Sequence, residues 1–142
     1  MPPEHVYLVW DFYDGVRSGI AGYRGSPHYF DCEFDHGVDD YSPSFRLWPI
    51  DKEIFDLALE QWQIYRAWER IYISGGVSAE SHPGNRGQDR RYDEIQARLH
   101  EMLKPLGPPA HRAIAWFEAR ADQQTLPAGC IRELEVEWSD VV

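Results

Sequence analysis

The sequence lacks several features that mark whole classes of protein. Its 142 residues include only two cysteines, Cys32 and Cys130, which excludes a disulfide-rich scaffold and predicts free thiols in a reducing compartment. No stretch approaches the roughly 18 consecutive apolar residues of a membrane-spanning helix. The opening Met1-Pro2-Pro3 shows neither the basic nor the apolar region of a secretory signal. We therefore expect a cytoplasmic protein that makes no contact with membranes.

Motifs for metal, nucleotide and nucleophilic chemistry are also missing. There is no Cys-x-x-Cys and no His-x-x-x-His, and the acidic run from Asp31 to Asp40 lacks the spacing of a calcium-binding EF-hand. A dinucleotide fingerprint, a Walker loop and a GxSxG elbow are absent. The sequence therefore indicates no metal site and no cofactor.

Acidic and aromatic residues are in excess. The chain carries 24 acidic against 14 basic residues, a net charge of −10, together with 6 Trp, 8 Tyr and 6 Phe. Such a charge repels phosphate backbones, so we expect no nucleic-acid partner. Only two of the basic residues are lysines, and arginine suits bidentate pairing with carboxylates. Many of the arginines should therefore neutralise acids within the fold.

The residue patterns predict an α+β fold in a single domain over residues 1–142. Strands are predicted at 5–13, 18–23, 28–34, 45–48, 112–120 and 130–139, with helices capped by Asp51 and Asp89. Segments 35–43 and 75–88 are predicted loops. This ββββααββ order predicts an antiparallel sheet with two amphipathic helices packed on one face.

Side-chain alternation predicts which strand residues face the core. In the first strand Val6, Leu8, Trp10 and Phe12 share the expected inner face. Two acidic rows should face water: Asp31, Glu33 and Asp35 in one strand, and Glu133, Glu135 and Glu137 in another. Because like charges repel when directly opposite, these two strands should not be neighbours unless Arg112, Arg120 or Arg132 intervenes.

The first predicted turn carries the densest group of chemically capable residues. Asp11 and Asp14 flank it, and Arg17 follows. Such carboxylates could act as acid and base or hold a cation, and His28 could join them from the third strand. The simpler interpretation is that Asp14 and Gly15 form a turn, Arg17 neutralises Asp11 or Asp14, and His28 is a satisfied core residue.

Aromatic and charged side chains of the same region form a candidate binding surface. Tryptophan and tyrosine beside carboxylates are good interface anchors. The candidate binding residues are Trp10, Tyr13, Arg17, Tyr29, Asp31 and Glu33.

The run VWDFYDGVRSGIAGYRGSPHYFDCEFD resembles the opening of a family of small bacterial hypothetical proteins with a WDFYDGxRSGIA-type motif. The closing run LPAGCIRELEVEW is similar to the ends of those proteins. The resemblance implies a bacterial cytosolic origin, and it carries over no activity and no functional residue.

Three hypotheses of function follow from these observations. The first is a small acidic binding protein, similar to an immunity protein or antitoxin, that engages a basic protein or a cationic ligand. The alternative is a small enzyme that uses Asp11, Asp14 and His28 as acid, base or metal ligands. The third is a homo-oligomer in which exposed aromatic side chains are buried between subunits.

Overall fold

The structure is a computed structural model and describes residues 2–123 and 133–141. The chain divides into two compact units: one holds every described strand and the other holds both α-helices. The predicted α+β composition is confirmed. The single domain over residues 1–142 stays a prediction.

The first unit is a closed antiparallel barrel of six strands. Its elements in chain order are β1 (Glu4–Phe12), β2 (Val16–Tyr23), β3 (Ser26–Asp31), the short pair β4 (Phe34–Asp35) and β5 (Asp40–Tyr41), then β6 (Phe45–Pro49), β7 (His111–Ala119) and β8 (Leu134–Asp140). The barrel order is β1-β2-β3-β6-β7-β8, and β4 and β5 pair only with each other. Pairing of Glu4 with Val136 joins β1 to β8. The observed sheet differs from the predicted one because it closes into a barrel, in which the first and last strands pair with each other.

Aromatic and β-branched side chains form one buried cluster in the barrel unit. Its members are Val6, Val16, Ala21, Tyr23, Phe30, Phe45, Leu47, Ala113, Val136 and Trp138. The indole N–H of Trp138 donates to the carbonyl oxygen of Gly22 at 2.8 Å, so the largest core ring has a satisfied polar group. In β8 the predicted alternation is confirmed, with Val136 and Trp138 buried and Glu137 exposed.

Strand β1 departs from its predicted alternation. Its register against β2 shifts between Val6 and Leu8 and twice more before Phe12. Each bulge adds a residue on one strand and changes the face that the following side chains occupy. As a result Val9 packs against the core cluster, and Phe12, predicted to face inward, is 70% exposed.

The two acidic rows lie on strands that are not neighbours, as predicted. The strand of Asp31 pairs with β2 and β6, whereas the strand of Glu135 pairs with β1 and β7. Arginines neutralise part of each row: Arg46 bonds Asp31 and Glu33, and Arg120 bonds Glu133. Arg132, Cys130 and the predicted start of the last strand lie outside the described residues.

The second unit consists of α1 (Lys52–Ile73) and α2 (Arg90–Leu103), with a short 3-10 turn at Ala79–Ser81 between them. Both predicted caps are confirmed, since the Asp51 and Asp89 side chains accept hydrogen bonds from the backbone N–H groups of Ile54 and Tyr92. No helix among the described residues is long and apolar enough to cross a membrane.

Salt bridges and one hydrogen bond between glutamine side chains hold the two helices together. Arg91 pairs with Glu60 at 2.6 Å, Arg98 pairs with Glu53 at 3.0 Å, and buried Gln61 donates to Gln96 at 2.7 Å. Part of the predicted loop 75–88 is also anchored to α1. The Trp68 indole N–H donates to Ser81, and the His82 ring lies 4.7 Å from the Trp68 ring.

Candidate functional site

A cavity of about 330 Å³ opens at one end of the barrel unit. The β1–β2 turn, the end of β3 and the β4–β5 hairpin supply its walls. The residues that line it are Asp11, Phe12, Tyr13, Arg17, Ser18, Tyr29, Asp31, Cys32 and Tyr41. Its position follows from strand order, because Ser18 of β2 lies opposite both Asp11 of β1 and Asp31 of β3.

The two carboxylates of the cavity differ in their partners. Arg46 donates two hydrogen bonds to Asp31, at 2.6 and 2.7 Å, and a third to Glu33 at 2.6 Å. Asp11 accepts a hydrogen bond from the Ser18 hydroxyl at 2.8 Å. It makes no ion pair within the described part of the chain, so its negative charge is available to a ligand.

Arg17 is held by backbone groups and by an aromatic ring. Its guanidinium donates to the carbonyl oxygens of Tyr13 (2.8 Å) and Asp14 (3.0 Å) and lies 3.8 Å from the ring centroid of Tyr41. The expected neutralisation of Asp11 or Asp14 by Arg17 is wrong, because the guanidinium binds carbonyl oxygens and no described carboxylate. Arg17 therefore joins the β1–β2 turn to the β4–β5 hairpin.

Tyr29 and Cys32 both retain their protons at neutral pH. Burial, with the nearby charges of Asp31 and Asp11, raises the pKa of Tyr29 to about 12. Burial also raises the pKa of the Cys32 thiol, which donates to the carbonyl oxygen of Ser42 at 3.1 Å. A protonated thiol is a poor nucleophile, so these two groups suit binding better than covalent catalysis.

An acidic aromatic rim adjoins the cavity. We use this name for the Phe, Tyr and Asp side chains of segments 11–14 and 34–41. Its aromatic members are Phe12 and Tyr13, each 70% exposed, Phe34 at 39%, and Tyr41, whose ring contacts those of Tyr13 and Phe34. Its carboxylates are Asp11, Asp14, Asp35, Asp39 and Asp40. None of the five forms an ion pair with another described residue. Within residues 11–41, Arg17 is the only arginine or lysine that contacts a rim side chain, and that side chain is Tyr41.

The structure brings five of the predicted site residues together in the cavity and separates the others from it. Asp11, Tyr13, Arg17, Tyr29 and Asp31 line the cavity. Trp10 does not line it, but its ring lies 5.8 Å from that of the lining residue Tyr29, and Glu33 is bound by Arg46. Asp14 has a φ of 51° and serves as a turn residue.

His28 lies elsewhere in the barrel unit. It is 4% exposed and donates to the carbonyl oxygen of Ser26 at 2.8 Å, which confirms that it is a satisfied core histidine. Its strand neighbours are Ala21 and Pro49, and its ring contacts those of Tyr23 and His111. Asp11, Asp14 and His28 therefore do not share one site.

Sequence reasoning missed Phe12, Ser18, Cys32 and Tyr41 as cavity residues. The bulges in β1 move Phe12 outward, and Tyr41 belongs to a two-residue strand within the predicted loop 35–43. Ser18 could have been predicted from the alternation of side chains along β2. Its side chain lies on the same face of the barrel wall as those of its neighbours Asp11 and Asp31.

Within residues 2–123 and 133–141, no group of three or more His, Cys, Asp or Glu side chains is arranged to hold a metal ion. No protein-family model, curated protein or solved structure matches the chain. The resemblance to small bacterial hypothetical proteins therefore stays a prediction.

Proposed function

We propose that this protein is a cytosolic binding protein whose acidic aromatic rim engages a basic protein, in the manner of an immunity protein or antitoxin. The observation that carries the proposal is the unpaired state of the five rim carboxylates beside two aromatic rings that are each 70% exposed. Elsewhere in the described chain many acids have arginine partners, as Asp31, Glu60 and Glu133 do.

Charge is the first contribution to the proposed binding. Five carboxylates close to one guanidinium produce a strong negative local potential, which accelerates the approach of a basic partner. Binding of lysine or arginine side chains also relieves the mutual repulsion of the rim carboxylates. Salt should weaken this attraction, because exposed charges are screened beyond a distance of about 8 Å at physiological ionic strength.

The aromatic side chains are the second contribution. Phe12 and Tyr13 are exposed to solvent, so contact with a partner would bury most of each ring. Complete burial of such a side chain contributes about 1.5–3 kcal/mol, and aromatic anchors of this kind dominate the energetics of many interfaces. Arg17, stacked on Tyr41, leaves guanidinium N–H groups that can donate to a partner's carbonyl or carboxylate oxygen and fix its orientation.

A role in catalysis has less support. Of the three residues proposed for acid, base or metal chemistry, Asp11 lines the cavity, Asp14 is a turn residue and His28 lies in the core. The Cys32 thiol and the Tyr29 phenol in the same cavity as Asp11 keep their protons. Asp11 alone retains the position that a catalytic carboxylate would need, within a cavity that also contains Tyr29. The enzymatic alternative therefore reduces to a single candidate residue.

The test is capture of a partner followed by quantitative binding with rim variants. A captured protein would be purified and titrated by calorimetry against the wild type, Phe12→Ser/Tyr13→Ser, and Asp39→Asn/Asp40→Asn. Asparagine keeps the hydrogen bond that Asp40 accepts from the Tyr41 amide, so the second variant removes charge alone. We expect a basic partner, at least tenfold weaker binding by both variants, and an affinity that falls as salt rises.

Two matched variants serve as controls. Ile73→Ser removes an apolar side chain that is 46% exposed on α1, and Asp56→Asn/Glu101→Gln removes two negative charges from the helical unit. Both should bind as the wild type does. A partner that binds the rim variants and the wild type equally, or whose affinity does not depend on salt, would contradict the proposal.

A further inference from the structure

Strand β7 has a partner on one side along its length and on the other side only near its start. It pairs with β8 continuously from Ala113 to Ala119. On its other side β6 pairs only with residues His111 to Ala113. Within the described chain no strand continues this ladder beyond Ala113. With respect to the described residues, Ile114 to Glu118 therefore form a free strand edge about 17 Å long.

The direction of the backbone groups along this edge follows from the ladder with β8. The amide of Arg120 donates to the carbonyl oxygen of Glu133 at 2.8 Å, and the register has no shift back to Ala113. Because antiparallel ladders alternate, residues 114, 116 and 118 direct their N–H and C=O groups toward β8. Ala115 and Phe117 direct theirs toward the free edge, where an extended chain could bond them.

The outer face beside this edge is acidic and carries a large exposed ring. Trp116 is 66% exposed and Ile114 is 37% exposed. Trp116 lies directly opposite Glu137, and Glu118 lies opposite Glu135. None of these three glutamates forms an ion pair with a described residue, whereas Glu133 at the end of the row is bound by Arg120. Direct opposition of Glu118 and Glu135 is unfavourable unless a cation lies between them.

The edge also lacks the features that normally prevent strand addition. The residues from Ile114 to Glu118 include no proline, no lysine and no bulge. A second copy of the chain is a poor occupant. Antiparallel pairing centred on Trp116 would place Arg112 opposite the partner copy's Arg120 and would bring two acidic faces together.

We infer that the free edge of β7 binds an extended basic segment of a partner protein as an added strand. Backbone groups of the segment would bond those of Ala115 and Phe117. Its lysine or arginine side chains would lie on the outer face, over the Trp116 ring and beside Glu118 and Glu135. Its alternate side chains would be apolar and would extend the inner face of Phe117. The inference uses residues of β7 and β8 and none of the rim residues, so it does not depend on the proposed function.

The probe is an acetylated, amidated ten-residue peptide in which valine alternates with lysine or arginine, titrated into the full chain and followed by amide NMR. We expect hydrogen exchange at Ala115 and Phe117 to slow at least tenfold when the peptide binds. A peptide of the same composition with valines and basic residues in two blocks should produce no such protection, and neither should an alternating valine–glutamate peptide.

Three variants locate the bound peptide. Ala115→Pro removes an N–H that the β8 ladder does not use, and proline is tolerated at strand edges, so this variant should fold and bind at least tenfold more weakly. Trp116→Ser tests the outer face with little risk to the fold, and a similar loss is expected. Phe12→Ser, on the acidic aromatic rim, should bind the peptide as the wild type does.

Several results would overturn the inference. One is binding without slowed exchange at Ala115 and Phe117. Another is equal binding by the wild type, Ala115→Pro and Trp116→Ser. A third is a dimer by light scattering whose edge amides are already protected without peptide, because a second copy would then occupy the edge. Loss of peptide binding in Phe12→Ser alone would assign the basic segment to the rim instead.

Discussion

The guanidinium of Arg17 lies 3.8 Å from the centroid of the Tyr41 ring and thereby connects two structural elements that the backbone ladder leaves separate. The hairpin of β4 and β5 pairs with no other strand that the structure describes. Its attachment to the β1–β2 turn depends on this stack, on the contact between the Tyr13 and Tyr41 rings, and on the two carbonyl oxygens that orient Arg17.

Replacement of Arg17 by lysine should loosen the hairpin. A lysine cannot bond two carbonyl oxygens and stack its head group on a ring at the same time. We expect the free energy of unfolding to fall by about 1 kcal/mol and amide exchange at Tyr41 to accelerate. Tyr41→Phe keeps the ring and should behave as the wild type. Unchanged exchange in Arg17→Lys would show that the hairpin does not depend on the stack.

Replacement of Arg46 by lysine should destabilise the barrel unit. Arg46 makes a bidentate bond with Asp31 and a third bond with Glu33, and the side chains of Arg46 and Asp31 are 27% and 21% exposed. Partial burial limits screening, so loss of the bidentate geometry should cost about 1–2 kcal/mol in urea unfolding. The matched control is Arg90→Gln, whose pair with Glu94 is exposed. An equal effect of both substitutions would contradict this prediction.

Gly19→Ala should be the most damaging small substitution in β2. A Cβ at this position would overlap the carbonyl oxygen of Leu8 and press against the Phe30 ring, and neither can move without disruption of the wall. We expect a loss of about 3 kcal/mol or more in unfolding free energy. The control is Gly22→Ala, where the nearest atoms that the Cβ meets belong to the side chain of Glu4 and not to the backbone. Similar losses for the two variants would show that close packing is not the reason for Gly19.

Much of the secondary structure could be predicted because local patterns determine it. The aspartate caps at Asp51 and Asp89 and the alternation in β8 confirm this. The patterns did not reveal that β1 pairs with β8, because alternation shows which face of a strand is buried and not which strand lies beside it. The outward position of Phe12 also escaped prediction, since bulges depend on the partner strand.

The candidate site was predictable to a similar extent. Asp11, Tyr29 and Asp31 were selected from the first and third predicted strands, and β2 between them brings them together. Tyr41 was not predictable, because a two-residue strand in an acidic loop has no periodicity. From the sequence alone, His28 could be either a site residue or a core histidine. Its burial on the inner face of β3 shows that it is a core residue.

The environment of His28 predicts that acid destabilises the protein. Burial lowers the pKa of His28, and the charge of His111 acts in the same direction, whereas the bond to Ser26 and the charge of Glu4 oppose them. The imidazole is therefore neutral in the folded protein, and the unfolded chain takes up the proton first as the pH falls below about 6.5.

We accordingly expect the contribution of His28 to the free energy of unfolding to be constant above about pH 7. This contribution should fall as the pH decreases from about 6.5 and should level off below the pKa that His28 has in the folded protein. His28→Asn keeps a donor for the Ser26 carbonyl and should reduce this decrease, measured by urea unfolding between pH 5 and pH 8. The matched control is His5→Asn, at an exposed histidine of the same unit. A His28→Asn profile that superimposes on that of the wild type would mean that other groups cause the acid sensitivity.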